Sequence, residues 1–304
     1  MTISAARNPT LPDIEVQVPP SYRVATRLVA FAAGATDPGR VRSTNQDQFV
    51  VATLTGALQI EQSSFPQAVV RYGGPQGHLF AVADGMGGHG GGEQASVLAV
   101  GAVENFLLGT LGFLNALRGD DASVESELKN VLRHANQVVT ARGDARPELH
   151  EMGTTLTVGY VIDGTLYLAH VGDSRCYLLR GDKLTQLTRD HTLVSELVDA
   201  GVIERVDAKR HHLRHMITNA VGGGIDGVVP EVQKRTLMAG DVLLFCSDGL
   251  TEVVDNRAIA RILATETDPR GACTQLVRAA VDGGGPDNVT AVVVRFHAAH
   301  DPRA

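Results

Sequence analysis

A chain of 304 residues, 43% of them hydrophobic, can bury a sizeable core as one large domain or two, and no linker composition interrupts it, so one domain is expected. Its formal charge of −7 disfavours a general nucleic-acid binder, whose affinity for phosphate backbone comes from clustered Lys and Arg. Three scattered cysteines, Cys176, Cys246 and Cys273, make neither a disulfide framework nor a zinc site, and a reducing cytoplasm is the expected home. There is no basic-then-apolar leader and no apolar run of the roughly eighteen residues a membrane span requires, so the chain is expected to work off the membrane.

Residues 1–22, with Pro9, Pro12, Pro19 and Pro20 and little apolar periodicity, read as a disordered arm ahead of a domain over 23–297, with 298–304 as a tail. A strand is expected over 24–33, followed by turn chemistry at Thr36-Asp37-Pro38-Gly39 and a polar run through Asp47. Residues 54–77 are poorly patterned and read as an extended hairpin or surface insertion. The run His78 to Ala83 reads as a buried strand that delivers Asp84 to a chain of glycines, 85, 87, 88, 90, 91 and 92, which permit positive-φ turns and close backbone approach.

From Glu93 the period becomes helical, with Val97, Val100, Val103, Leu107 and Leu108 as the expected apolar stripe. A second helix is expected over 123–141, its stripe Leu128, Val131, Leu132, Ala135, Val138 and Val139. Strands flank the hairpin signal Asp163-Gly164 and another at Gly181-Asp182, and Gly172-Asp173-Ser174-Arg175 puts a further carboxylate at a strand end. Residues 189–228 differ in texture: a short helix stopped by Gly201, a basic, His-rich run around Lys209 to His215, and three glycines. They read as a flap over a site, with His211, His212 and His215 as surface or substrate-contacting residues rather than metal ligands. The chain closes with strands over 230–237 and 240–247, helices over 256–265 and 269–281, the second with Asp268 as N-cap and Pro269 at N1, and a last strand, 289–296.

The device at Asp84 recurs at Phe245-Cys246-Ser247-Asp248-Gly249 and, mirrored, at Gly285-Pro286-Asp287-Asn288. A buried carboxylate is expensive without a partner, so three at strand ends suggest a shared cation. Oxygen-only ligands suit Mg²⁺ or Mn²⁺ rather than zinc. The elements do not alternate as βαβ units, which disfavours a parallel doubly wound sheet, and an antiparallel sandwich flanked by helices fits better. A dinucleotide fingerprint is disfavoured because Asp84 sits where the phosphate turn would begin, and no Walker lysine follows the glycines.

Taken in order, Asp37-Pro38-Gly39-Arg40-Val41-Arg42-Ser43-Thr44-Asn45-Gln46-Asp47, Ala83-Asp84-Gly85-Met86-Gly87-Gly88-His89, Gly153-Thr154-Thr155, Val171-Gly172-Asp173-Ser174-Arg175, Cys246-Ser247-Asp248-Gly249-Leu250 and Gly284-Gly285-Pro286-Asp287-Asn288-Val289-Thr290 form a set of motifs. Over about residues 24–296 the chain closely resembles the metal-dependent serine/threonine protein phosphatases of the PP2C (PPM) family, in their bacterial form. The resemblance implies an α+β fold, a four-layer α-β-β-α sandwich of two mainly antiparallel sheets flanked by helices, with metals at one end. It implies that Asp84 bridges two Mn²⁺ or Mg²⁺ ions, that Gly85 offers its carbonyl, and that Asp248 and Asp287 complete the first metal. Asp173 matches a ligand of a third, weaker ion, Arg42 the guanidinium that grips the substrate phosphate, and Asp47 the acid that organises metal-bound water. The implied catalytic set is Asp47, Asp84, Asp248 and Asp287, and the implied substrate a phosphorylated protein, such as a Ser/Thr kinase or its target, met by a monomeric enzyme.

Three positions depart from the family pattern. Gln46 stands where many members carry Glu, Met86 where eukaryotic members carry a His proposed as general acid, and Glu252 where an Asp usually follows. His89 lies near the site and reads equally as structural. Two rival readings accompany the phosphatase: a catalytically weak phosphoprotein-binding regulator of the same fold, and a phosphatase of small phosphate esters.

Overall fold

The computed structural model describes residues 28–59, 70–116, 121–208, 210–224 and 227–299. The expected arm over 1–22, the first residues of the 24–33 strand, Lys209 and most of the 298–304 tail lie outside the described residues. The strands in chain order are β1 (Leu28–Asp37), β2 (Asp47–Gln59), β3 (Val70–Met86), β4 (Gly153–Thr154), β5 (Leu156–Ile162), β6 (Thr165–Val171), β7 (Arg175–Arg180), β8 (Lys183–Gln186), β9 (Val221–Gly222), β10 (Glu231–Thr236), β11 (Val242–Cys246) and β12 (Val289–Ala298). The helices are α1 (Gly91–Ala116), α2 (Asp121–Asp144), α3 (Leu193–Asp199), α4 (Arg205–Ala208), α5 (Asp248–Thr251), α6 (Asn256–Thr265) and α7 (Pro269–Asp282).

Two antiparallel sheets result, one ordered β1-β12-β11-β7-β8, the other β10-β6-β5-β3-β4-β9 with β2 paired to β3. Alternation along the strands sorts their side chains into three apolar layers. Phe80, Val82, Leu168, Phe245, Val292 and Val294 fill the space between the sheets. The opposite face of one sheet, with Ala81, Val158 and Ala169, packs on Val103, Leu128 and Leu132 of α1 and α2. That of the other, with Leu244 and Val293, packs on Ile259 of α6 and Leu276 of α7. The four-layer sandwich expected from the resemblance is therefore present.

Most elements form where the sequence places them. Asp163 and Gly164 both take positive φ, 48° and 74°, as a two-residue hairpin of that type requires. Asp268 accepts from the Gly271 amide and Asp255 from that of Ala258, capping α7 and α6. The insertion over 54–77 extends the β2–β3 hairpin as far as the pair Gln59 and Val70, and its tip lies outside the described residues.

Helix α1 forms, and Val100, Val103 and Leu107 of the expected stripe are buried, but Val97 and Leu108 are 51% and 66% exposed, and Ala95, Ala99 and Ala102 complete the inner face in their place. Alanines let α1 lie close to β3, and that approach fixes the helix rotation. The strand after the arm also runs on to Asp37, where a turn was expected at Thr36, because Thr36 and Asp37 still pair with Thr290 and Val289 of β12.

Candidate metal centre

One end of the sandwich collects carboxylates from both sheets. Asp47 opens β2 and Asp84 lies near the end of β3, and antiparallel register places the two directly opposite. Asp248 begins α5 just beyond β11, Asp287 precedes β12, and Asp173 follows β6.

Asp84 is held by its backbone. Its amide donates to Thr155 Oγ1 at 2.9 Å, and its carbonyl accepts from the Thr155 amide and Thr154 Oγ1, each also at 2.9 Å. Strand β3 continues past it to pair Gly85 with Thr154 of β4. A Cβ on Gly85 would meet the Gly92 carbonyl oxygen at 2.1 Å and that of Gln46 at 2.8 Å, so only glycine lets the loop close over the site. Gly249 is as tightly constrained, 2.0 Å from the Asn288 oxygen by the same construction. Gln46 does not extend into the carboxylate group: its side chain lies against Gly92 and donates to the Gly87 carbonyl at 3.5 Å.

Asp47 is the most buried carboxylate of the group, 2% exposed. Its Oδ2 accepts from Ser247 Oγ and Thr290 Oγ1, both at 2.7 Å, while its buried Oδ1 has no hydrogen-bond partner. Burial pushes this carboxyl up to about 6 against the pull of the two hydroxyls. Burial, then repulsion from Asp47, Asp248 and Asp173, holds Asp84 well above the usual carboxylate range. Asp248 is raised in the same way, by burial and then by Asp173, Glu252 and Asp287. Asp173 rises to about 6 through burial and Asp190, with Arg175 opposing. Among the described residues, none of Asp47, Asp84, Asp173 and Asp248 is ion-paired with a lysine or arginine. Four converging acids that repel one another, one of them with an orphaned buried oxygen, Asp47 Oδ1, fit a divalent cation and its bound water.

Arg42 donates to Asp287 Oδ2 at 2.7 Å, with the two side chains 55% and 31% exposed. That contact, and then the charge of Asp287, raises the arginine further above its ordinary value. The loop that carries Arg42 is anchored by Asn288, whose Nδ2 donates to the carbonyls of Pro38 and Thr44 at 3.0 and 2.9 Å and whose Oδ1 accepts from the Gln46 amide at 2.8 Å. Sequence reasoning assigned no role to Asn288, Ser247 or Thr290. The signal available was their position beside Asp287 and Asp248, where a polar side chain has acids and loop backbone to bind.

His215 is exposed and lines the cleft beside Met86, as a surface or substrate-contacting residue would. His215 reaches the acidic end: its Nδ1 lies 3.0 Å from Glu252 Oε1, and His215, Asp248 and Glu252 offer ligand atoms within 4.8 Å of one another. Helical spacing of Asp248 and Glu252 turns both acids to the same side, which sequence distance from His215 concealed. His211 and His212 stack on each other at 4.6 Å instead. The root of the same segment is bonded to the Asp173 loop, since His191 Nδ1 accepts from the Gly172 amide at 3.0 Å and the His191 amide donates to the Gly172 carbonyl at 2.8 Å.

Residues 67–279 match the family model described as Protein phosphatase 2C, well over half of the chain. The serine/threonine protein phosphatase PstP of Mycobacterium tuberculosis is 36% identical over 268 residues, which cover 88% of this chain and 45% of that protein, so the chain spans about half the length of this relative. The serine/threonine phosphatase stp of Listeria innocua is 32% identical over 261 residues, 85% of this chain and 93% of its own. A crystal structure of the M. tuberculosis phosphatase PstP/Ppp aligns with a TM-score of 0.70 at 35% identity, covering 88% of this chain and 99% of that one. The PstP catalytic domain in complex with two manganese ions aligns at 0.68 and 35%, covering 89% and 100%. By sequence and by fold, the chain belongs to the protein phosphatase 2C family.

Proposed function

We propose that the chain hydrolyses phosphoserine and phosphothreonine in proteins. The observation that carries this reading is the convergence of Asp84, Asp248 and Asp287 beside the orphaned Oδ1 of Asp47, with Arg42 at the rim. Asp84, the Gly85 carbonyl, Asp248 and Asp287 would hold two Mn²⁺ or Mg²⁺ ions, and Asp173 a weaker third. When bound, such ions lower the pKa of a water and neutralise charge on the phosphoryl group. Asp47 Oδ1 then accepts a hydrogen bond from the attacking water and orients it in line with the departing oxygen. Arg42, moved from Asp287 onto the substrate, grips two phosphate oxygens with its planar fork. The water oxygen bonds to phosphorus and releases one proton to solvent as the bond to the serine or threonine oxygen breaks, and that oxygen takes a proton from solvent, since Met86 offers none.

The similarity to serine/threonine phosphatases supports a phosphoprotein substrate, and the open cleft beside Met86 accommodates a polypeptide more readily than an enclosed small-ester pocket would. A non-catalytic phosphoprotein binder would not require the mutually repelling acids. The expected setting is the cytoplasm, opposite a Ser/Thr kinase, with the protein acting as a monomer. The test is phosphate release from a phosphothreonine peptide by the purified protein with manganese. Release that chelator abolishes supports the proposal, and release unaffected by chelator, or none at saturating manganese, contradicts it.

A further inference from the structure

A cleft of about 510 Å³ opens beside the acidic end of the sandwich, lined among others by Met86, Glu151, His215 and Ile217. A second cavity of about 270 Å³ shares His150, Gly223 and Gly224 with it and reaches Asp144. The two together make one groove. Its near end lies two residues from Asp84 and at His215, which contacts Glu252. Its far end is the C-terminus of α2, whose last helical residue is Asp144. The floor is fixed in place: the Gly223 amide donates to the Met152 carbonyl at 2.7 Å and the Gly222 amide to Asn136 Oδ1 at 2.8 Å. Glycines along the wall leave width and exposed backbone for an extended chain.

Apart from His150 and His215, the ionisable side chains that line the groove are acidic. Glu151 and Asp144 are exposed and make no ion pair among the described residues, and no lysine or arginine lines either cavity. Arg142 and Arg146 are exposed nearby but line neither cavity. The C-terminal end of a helix of 24 residues adds partial negative charge at Asp144. A groove lined by one sign of charge focuses that field and attracts its counter-charge.

We propose that this groove seats the polypeptide flanking the phosphorylated residue and selects a basic side chain there, through Glu151 and Asp144. The inference rests on the phosphoprotein reading, which it narrows: Arg42 and the carboxylate centre take the phosphoryl group, and the groove reads a lysine or arginine on one side of it. Glu151 and Asp144 are specificity residues, remote from the reacting atoms.

The experiment uses labelled phosphothreonine peptides of identical composition with one arginine moved through successive positions on either side of the phosphoresidue, so that net charge stays constant. The expected result is a kcat/KM maximum on one side, roughly tenfold above the mean of the other positions at low salt, as rim charges supply. In Glu151→Gln/Asp144→Asn that ratio should collapse toward one, and in Asp144→Lys an arginine at the favoured position should become unfavourable. Peptide binding is followed by fluorescence anisotropy in chelator, where turnover does not enter. Positional ranking in binding without phosphate release under manganese would uphold the groove and overturn the phosphatase reading. Equal values at all positions, or a maximum that the variants leave in place, would overturn the groove while leaving the phosphatase reading intact.

Discussion

The guanidinium of Arg42 lies 2.7 Å from the Asp287 carboxylate, a proposed metal ligand. The pair is largely exposed, so its own contribution to stability is small, about 0–1 kcal/mol. The proposed role of Arg42 is to hold the substrate phosphate. Arg42→Ala is expected to raise KM for phosphopeptides and lower kcat/KM by the equivalent of about 2–4 kcal/mol while leaving manganese affinity within a few fold. Steady-state kinetics with parallel metal titration checks this, and unchanged kinetics would return Arg42 to a surface charge.

Removing metal should make stability fall as pH rises. Asp47 and Asp173 have folded values of about 6, above their unfolded values, so the native state binds more protons than the unfolded chain between about 4 and 6. Their destabilising effect is absent below that window, grows through it and is complete above it, on the order of 2–3 kcal/mol for each. Asp84, raised further, extends the trend upward. In chelator, Asp84→Asn should therefore raise the urea midpoint over wild type, and more at pH 7.5 than at pH 5. A variant less stable than wild type at pH 7.5 would contradict the mutual repulsion of the acids.

The hydroxyls on Asp47 Oδ2 give a third test. Ser247→Ala removes one of two 2.7 Å donors from a buried carboxylate. The expected cost is about 1–3 kcal/mol. The variant should also shift the acidic limb of the activity profile to higher pH, because losing a donor raises Asp47 further. A profile that stays in place would separate Asp47 from the reaction.

Backbone closure around the site is testable at Gly85. An added Cβ would sit 2.1 Å from the Gly92 oxygen, and neither partner is a flexible side chain. Gly85→Ala is expected to cost about 1–3 kcal/mol and to weaken metal binding, because the loop must open. Thermal melts with and without manganese measure both effects. Wild-type melting in both conditions would show that the loop is looser than described.

Much of this arrangement was legible in the chain because the signals are local. The glycines after Asp84, the Asp-Gly turn at Asp163 and the cap at Asp268 each act within a few residues of themselves. Hidden features depended on packing between distant segments. Val97 and Leu108 look like core by size, yet Ala95, Ala99 and Ala102 join Val100, Val103 and Leu107 on the inner face of α1 instead. Asn288 fastens a loop some 244 residues away, and His215 meets Glu252 only because segment 189–228 folds back over the sheet end. The rotation of one helix and the return of one segment are tertiary outcomes that periodicity does not encode.

The central claim is that Asp84, Asp248 and Asp287 hold the cations that serve phosphate hydrolysis. Manganese stoichiometry by equilibrium dialysis and phosphate release from a phosphothreonine peptide, measured side by side for wild type, Asp84→Asn and Asp248→Asn, test it most directly. At least two ions and chelator-sensitive turnover are expected in wild type, with metal binding and turnover lost together in both variants while the fold persists by circular dichroism. Near-wild-type phosphate release by either variant in manganese would contradict it.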